Sequence, residues 1–364
     1  MAKILPRKGV LNITPYKAGD AKIEGFDTVI KLASNESPMG PSPAAIDAVK
    51  TAADSGMQLY PDPACTALRA AIGDVHNIDP DQIICSNGSE ELLHLLAKGY
   101  ATDGDEIIFC QYGFLAYPIA THAVGATPVV VPEDNFTANV DAILAAQTGK
   151  TKIVNLANPN NPTGTYLSKS EILRLRAGLR NDILLVLDAA YAEYVDQDDY
   201  DAGFDLVNNG LENTIVTRTF SKIYGLAAAR VGWAYGPKSV LDILHRIRGA
   251  FNVTALSQAA ATAAVRDQDH VAKAKAHNLK WVPKLSQALS EWNMTVTPSQ
   301  GNFLLAHFPG GPDQSVAADQ FLRSRGIIVR PVANYGMPQA LRITIGTDAE
   351  NEALLAAFAE FFAA

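Results

Sequence analysis

The sequence predicts an α/β protein: a large domain with a mostly parallel central sheet flanked by helices, followed by a smaller α+β domain. Three observations predict it. Between Gln82 and Phe220 short apolar runs alternate with longer amphipathic stretches, the pattern of strands covered by helices. Polar and turn residues close these runs, and in open parallel sheets ligands lie outside the carboxyl ends of the strands. The chain has 364 residues, more than one small core organises.

Composition narrows the function classes. Apolar residues make up 48% and charged ones 19%, which is globular rather than disordered composition. A net charge of -8 gives nucleic acid and anionic membranes little to hold, so any anion site is local, made by a few arginines and backbone N–H groups. Cys65, Cys85 and Cys110 are widely spaced and show no Cys/His ligand pattern. They read as buried free thiols in a reducing compartment, with no metal site expected. The opening MAKILPRKGVLNITPY lacks a signal-peptide apolar stretch. No run reaches the ~20 residues of a membrane span. The expectation is a soluble cytoplasmic protein.

In chain order, residues 1–35 read as an arm joining the small domain. Tyr16 is its one large polar aromatic, either docked on its own chain or functional. Residues 31–43 are loop chemistry, PAAIDAVKTAAD a helix, and Tyr60 in YPDP is held extended by the following proline. A helix opens near Cys65. QIICS is a strand, and NGSEE leads into a helix with Leu92, Leu93, Leu95 and Leu96 on its apolar side. The N–H groups of Ser89 and Glu90 then form an anion site, or Ser89 simply caps the helix. Neither GxGxxG nor GxxxxGK spacing is present, so nicotinamide and nucleoside-triphosphate readings lose support.

DEIIFCQ is a strand, and YGFLAY after it offers Tyr112, Phe114 and Tyr117. One of these can stack on a flat heterocycle, although core packing is the commoner use of an aromatic. TPVVVPE, KIVNLA, DILLVL and TIVTRTF are further strands. NPNNPTG follows KIVNLA directly, and its two Asn-Pro steps restrict the backbone enough to aim an Asn amide at a ligand. Asp188 ends an apolar run, with Tyr191 three residues on. That carboxylate is a helix cap or a buried anion with a partner, and a pyridinium nitrogen is such a partner. The stretch TRTFSKIYGLAAARVGW carries Ser221, Lys222 and Arg230. A lysine there can hold an aldehyde cofactor as a Schiff base, with serine and arginine on its phosphate. A lone lysine is ordinarily a solvated surface residue. The succession of all these parts carries the reading.

Residues 36–248 are thus read as the large cofactor-binding domain and 249–364 as the small one. The alanine-rich segment from Gly249 is expected to begin a long helix linking the lobes. TVTPSQGNFLLAHF reads as strands with Asn302 in a turn facing the cleft, and ADQFLRSRGIIVRPV as helix then strand.

The succession resembles the fold-type I pyridoxal-phosphate aminotransferases over nearly the whole chain. Within them it is similar to the histidinol-phosphate aminotransferase family through LASNESPMGPSP, YPDP, NPNNPTG and VRPVANYGMPQALRITIGT. The resemblance implies pyridoxal 5'-phosphate, with Lys222 as the Schiff-base lysine and Asp188 on the ring nitrogen. It puts Tyr191 and Asn161 on the 3-oxygen, Ser89, Glu90, Ser221 and Arg230 around the phosphate, and Phe114 against the ring. Tyr60 would reach the neighbouring subunit's phosphate, which implies a homodimer with shared sites. Arg342 would bind a substrate carboxylate or phosphate, and Tyr16 the amino substrate from the other subunit. Arg330 is a candidate for the distal acid of glutamate or else an exposed strand-end residue.

Two departures stand out: the usual D-E-A-Y is Asp188-Ala189-Ala190-Tyr191, and the stacking aromatic is Phe rather than Tyr. The implied reaction moves the amino group of L-histidinol phosphate to 2-oxoglutarate in histidine biosynthesis. The alternatives are an aromatic amino-acid aminotransferase and, below it, a decarboxylase or C–S lyase of the same fold. A cofactor-binding transcriptional regulator would need a basic DNA-binding module, and about thirty residues before the first motif do not provide one.

Overall fold

The computed structural model describes residues 4–15 and 19–363. Tyr16 lies outside the described residues. Seven strands form the main sheet in the order Ile83–Ser86, Gly232–Tyr235, Thr214–Thr219, Leu184–Asp188, Thr151–Ala157, Glu106–Cys110 and Thr127–Val131. All run parallel except Gly232–Tyr235, which pairs antiparallel with both neighbours. That strand was not expected: GWAY is short, opens on glycine and follows a turn rather than a helix.

The strands are apolar on both faces because helices cover both. Successive residues point to opposite faces. Ile107 and Phe109 therefore join one core while Ile108 and Cys110 join the other, and Leu184 and Val186 are split from Leu185 and Leu187 in the same way. The three cysteines are buried and unpaired. Helix starts are locally encoded. Ser42 caps Pro43–Asp54 by accepting from the Ala45 N–H, with proline at the first helical position. Thr254 caps Ala255–Arg266 through the Ser257 N–H.

A second sheet of four strands is antiparallel, in the order Thr295–Thr297, Phe303–His307, Ala340–Thr344, Arg330–Pro331. The changeover between lobes comes later than residue 249. The helix Ala255–Arg266 packs on Pro43–Asp54 and Thr66–His76, and its Ala260, Ala261 and Ala264 sit in the main core. It also does not start the long helix, because Asp267 breaks the path and caps a new helix, Gln268–Glu291, through the His270 N–H. Along that helix Ala274 belongs to the main core, whereas Trp281, Leu285 and Leu289 belong to the second. Near the start of the chain, Ile30–Lys31 adds to the second lobe by pairing in parallel with Ile327–Ile328. No helix among the described residues is long and apolar enough to cross a membrane.

Candidate active site

A cavity of about 270 Å³ opens where the parallel strands end. Ile83–Ser86 delivers Ser89 and Glu90 to it, Glu106–Cys110 delivers Phe114, and Thr151–Ala157 delivers Asn161. Leu184–Asp188 brings Asp188 and Tyr191, and Thr214–Thr219 brings Ser221 and Lys222. Arg230 arrives from the opposite direction, just before the antiparallel strand. From the second lobe come Arg330 and Arg342, which face each other across adjacent strands.

Asp188 is 5% exposed. Its oxygens accept from the Tyr117 hydroxyl at 3.0 Å and the Thr217 hydroxyl at 3.2 Å, both neutral donors. Burial raises its pKa, and those two bonds and the Lys222 charge oppose the rise. A buried carboxylate whose bonded partners are all neutral suits a cationic N–H. Lys222 is pushed down to about 8, first by burial and then by the Arg342 charge, so a sizeable neutral fraction exists at mildly alkaline pH. Its ammonium lies 5.6 Å from the Tyr191 ring centroid and 3.5 Å from the Ser34 carbonyl. Tyr191 is 3% exposed and is pushed up to about 12 by burial.

At the far end, Gly88 rather than Ser89 occupies the cap of the Ser89–Tyr100 helix, with no side-chain cap on its first turn. The first N–H groups are therefore left for a ligand. Arg230 donates to Ser221 Oγ at 3.2 Å and holds a left-handed backbone, φ 53°. A Cβ at Gly88 would meet the Arg230 guanidinium at 2.5 Å, and one at Gly232 would meet the Ser89 nitrogen at 2.3 Å. Glycine at both positions is what lets helix start, serine and arginine close around one anion.

Arg342 is 6% exposed and donates to Asn161 Oδ1 and to the Ala33 carbonyl, each at 2.6 Å. A guanidinium only donates, so the Asn161 amide must turn its oxygen to Arg342 and its NH2 elsewhere. Asn158–Pro159 and Asn161–Pro162 are both cis.

Among the described residues, two of the expected ones do not line this cavity. Asn302 is buried and donates to the backbone carbonyls of Asn35 and Glu36, tying loop to sheet instead of facing the cleft. Tyr60 is 81% exposed and stacks on Phe251 at 4.4 Å. Tyr16 is not described. Three residues that touch the expected ones carried no local signal for that role: Thr217 on Asp188, Asn35 on Tyr191, and Tyr117, which bonds Asp188 instead of stacking; Thr344 stands behind Asn35 and carried none either.

Residues 27–358 match the family model described as aminotransferase class I and II. Histidinol-phosphate aminotransferase of Rhodopseudomonas palustris (strain HaA2) is 50% identical over 100% of both chains. That of Paramagnetospirillum magneticum is 51% identical over 99% of both. Among solved structures, histidinol-phosphate aminotransferase from Sinorhizobium meliloti in complex with pyridoxal-5'-phosphate superposes with a TM-score of 0.90 at 27% identity, covering 97% of this chain and 96% of that one. A Thermus thermophilus aspartate aminotransferase reaches 0.81 at 22% identity over 92% of each chain, a likeness of fold alone.

Proposed function

The chain belongs to the aminotransferase class I and II family, and from that membership we propose that it transfers the amino group of L-histidinol phosphate to 2-oxoglutarate, giving imidazole acetol phosphate and L-glutamate in histidine biosynthesis. One observation carries the transamination reading: the Lys222 amine, the Asp188 carboxylate and the Arg342 guanidinium line a single cavity. The donor's identity rests on full-length relatives at about half identity. Net charge and buried thiols suit a cytoplasmic enzyme.

Pyridoxal phosphate, when bound, supplies an aldehyde that joins the amino substrate and a ring that takes up the electron pair left by the departing proton. In this reading the anion cradle of Ser89, Glu90, Ser221 and Arg230 holds its phosphate, and Phe114 covers the ring. Asp188 keeps the ring nitrogen protonated. The NH2 of Asn161 and the hydroxyl of Tyr191 donate toward the ring oxygen. Lys222 would hold the aldehyde, and its free amine, pushed down to about 8 in this site, would carry the proton as base and then as acid. Arg342 exchanges Asn161 and Ala33 for the substrate's anion, which it grips with two parallel N–H groups. Arg330, directly opposite, takes a second anionic group.

The reading is tested by following the visible spectrum of loaded enzyme as L-histidinol phosphate, phenylalanine and glutamate are added singly. Histidinol phosphate is expected to convert the cofactor at least roughly 100-fold more efficiently than phenylalanine, since buried donors left unpaired by the wrong substrate are costly. The reverse ranking would make this an aromatic aminotransferase. No conversion by any of the three would point to the lyase.

We also propose a homodimer in which exposed Tyr60 completes the neighbour's phosphate site. Tyr60→Phe is then expected to weaken cofactor retention about 10-fold, the worth of one hydrogen bond to a charged group. In mixed dimers with Lys222→Ala, the defect should appear in the partner's site. A defect confined to the subunit carrying the change would rule out sharing.

A further inference from the structure

The Tyr191 hydroxyl can act as donor or acceptor, and its surroundings decide which. Asn35 is 1% exposed and sits in the left-handed region, φ 55°, which asparagine tolerates better than most residues. Its backbone N–H donates to the Thr344 hydroxyl at 2.9 Å. Having accepted that bond, the Thr344 hydroxyl sends its single proton to the Asn35 side-chain oxygen at 3.1 Å. The Asn35 amide therefore cannot flip without stranding that proton, and its NH2 end faces Tyr191 at 2.8 Å. An NH2 group only donates, so the tyrosine oxygen accepts here. Its own proton must point elsewhere, and Tyr191 lines the cavity.

The geometry points to Asn35 and Thr344 as positioning residues that fix the Tyr191 hydroxyl as a donor into the active-site cavity. The pair acts across the lobes: Thr344 lies on the Ala340–Thr344 strand of the second sheet, while Tyr191 follows Asp188 at the end of a strand in the first. Asn302 holds the Asn35 carbonyl at 3.1 Å, which fixes the loop's backbone as well. The charged groups around Tyr191 are Arg342 from the second lobe and Lys222 and Asp188 from the first. The direction of the Asn35 carboxamide is set by the Thr344 hydroxyl, which donates to its oxygen.

The inference rests on the reading above, in which the cofactor's ring oxygen lies beside Tyr191. A donor there favours the form in which that oxygen is anionic and unprotonated, so loss of the donor raises the pH midpoint of the visible-absorbance titration. Loaded wild type, Tyr191→Phe, Thr344→Val and Thr344→Ser are titrated side by side. Tyr191→Phe and Thr344→Val are both expected to raise the midpoint, by about one pH unit for a lost hydrogen bond to a charged oxygen. Thr344→Ser keeps the hydroxyl and should stay at the wild-type value. In the Tyr191→Phe background, Thr344→Val should add nothing, a non-additivity that general loosening of the fold does not produce.

Should Thr344→Val fail to fold, Asn35→Asp makes the same decision. A carboxylate can only accept from Tyr191, so its shift should shrink when Tyr191 is Phe, leaving only the charge effect common to both backgrounds. A midpoint unmoved by Thr344→Val while Tyr191→Phe moves it overturns the positioning role alone. If neither moves it, Tyr191 does not donate to the cofactor, and this inference falls together with that part of the site.

Discussion

Lys222→Ala is expected to lower turnover by at least about 10⁴-fold and to remove the visible band of the loaded enzyme, since one side chain carries both the covalent attachment and the proton transfer. Retained turnover would end the central assignment. A second, independent readout comes from stability. The lysine's pKa in the folded protein is about 8 against an ordinary 10.5. Between those values the unfolded chain binds the proton and the folded one does not, so stability rises with pH across that window. Below pH 8 both states hold the proton, and the folded protein bears the full cost, on the order of 3 kcal/mol. Cofactor-free Lys222→Met should therefore be more stable than its parent at pH 7, with the gap closing towards pH 10.5. Denaturant midpoints at the two pH values measure it, and a gap that stays constant would mean that the lysine is not held in a charge-averse site.

Asp188→Asn should leave the fold and cofactor binding largely intact while lowering kcat by about 10²–10³-fold, the loss typical of one fixed electrostatic partner at a reacting group. The fold survives because Tyr117 and Thr217 present hydroxyls, which can accept from an amide as readily as they donate to a carboxylate. The rate does not survive, because an amide carries no charge to hold a proton on the ring nitrogen. Near-normal turnover would mean that the ring's charge is maintained by some other group.

Which parts of this site were legible follows from where their signals lie. Asp188, Lys222 and Arg230 stand at the ends of apolar runs or in a short string with serine, so a local pattern exposes them. The parallel sheet was legible for the same reason, through strands greasy on both faces. Tyr117 carries no such mark. It sits inside the Ala116–Ala123 helix, and its tie to Asp188 spans 71 residues. Asn35 meets Tyr191 across 156 residues from the middle of a loop. Asn302 looked like a cleft residue because it sits in a turn between strands, yet what it does there is hold another loop's carbonyls. Second-lobe packing was obscured by alanine: a helix of small residues reads alike whichever core it enters, and Ala255–Arg266 enters the first.

The contact between Ala33 and Arg342 joins residues 309 apart, and the Ile30–Lys31 strand finds its partner only at Ile327–Ile328. On a ribosome adding ~5–20 residues per second, the opening strand waits roughly 15–60 s for its mate, with an unpaired edge exposed throughout. A nascent chain that has already made Lys222 and the whole main sheet still lacks Thr344, which holds Asn35 on Tyr191, and Arg342, which receives the substrate's anion. Chemistry thus begins only when the last strand of the second sheet has been translated, and a product stopped before Thr344 carries the lysine without its working surroundings.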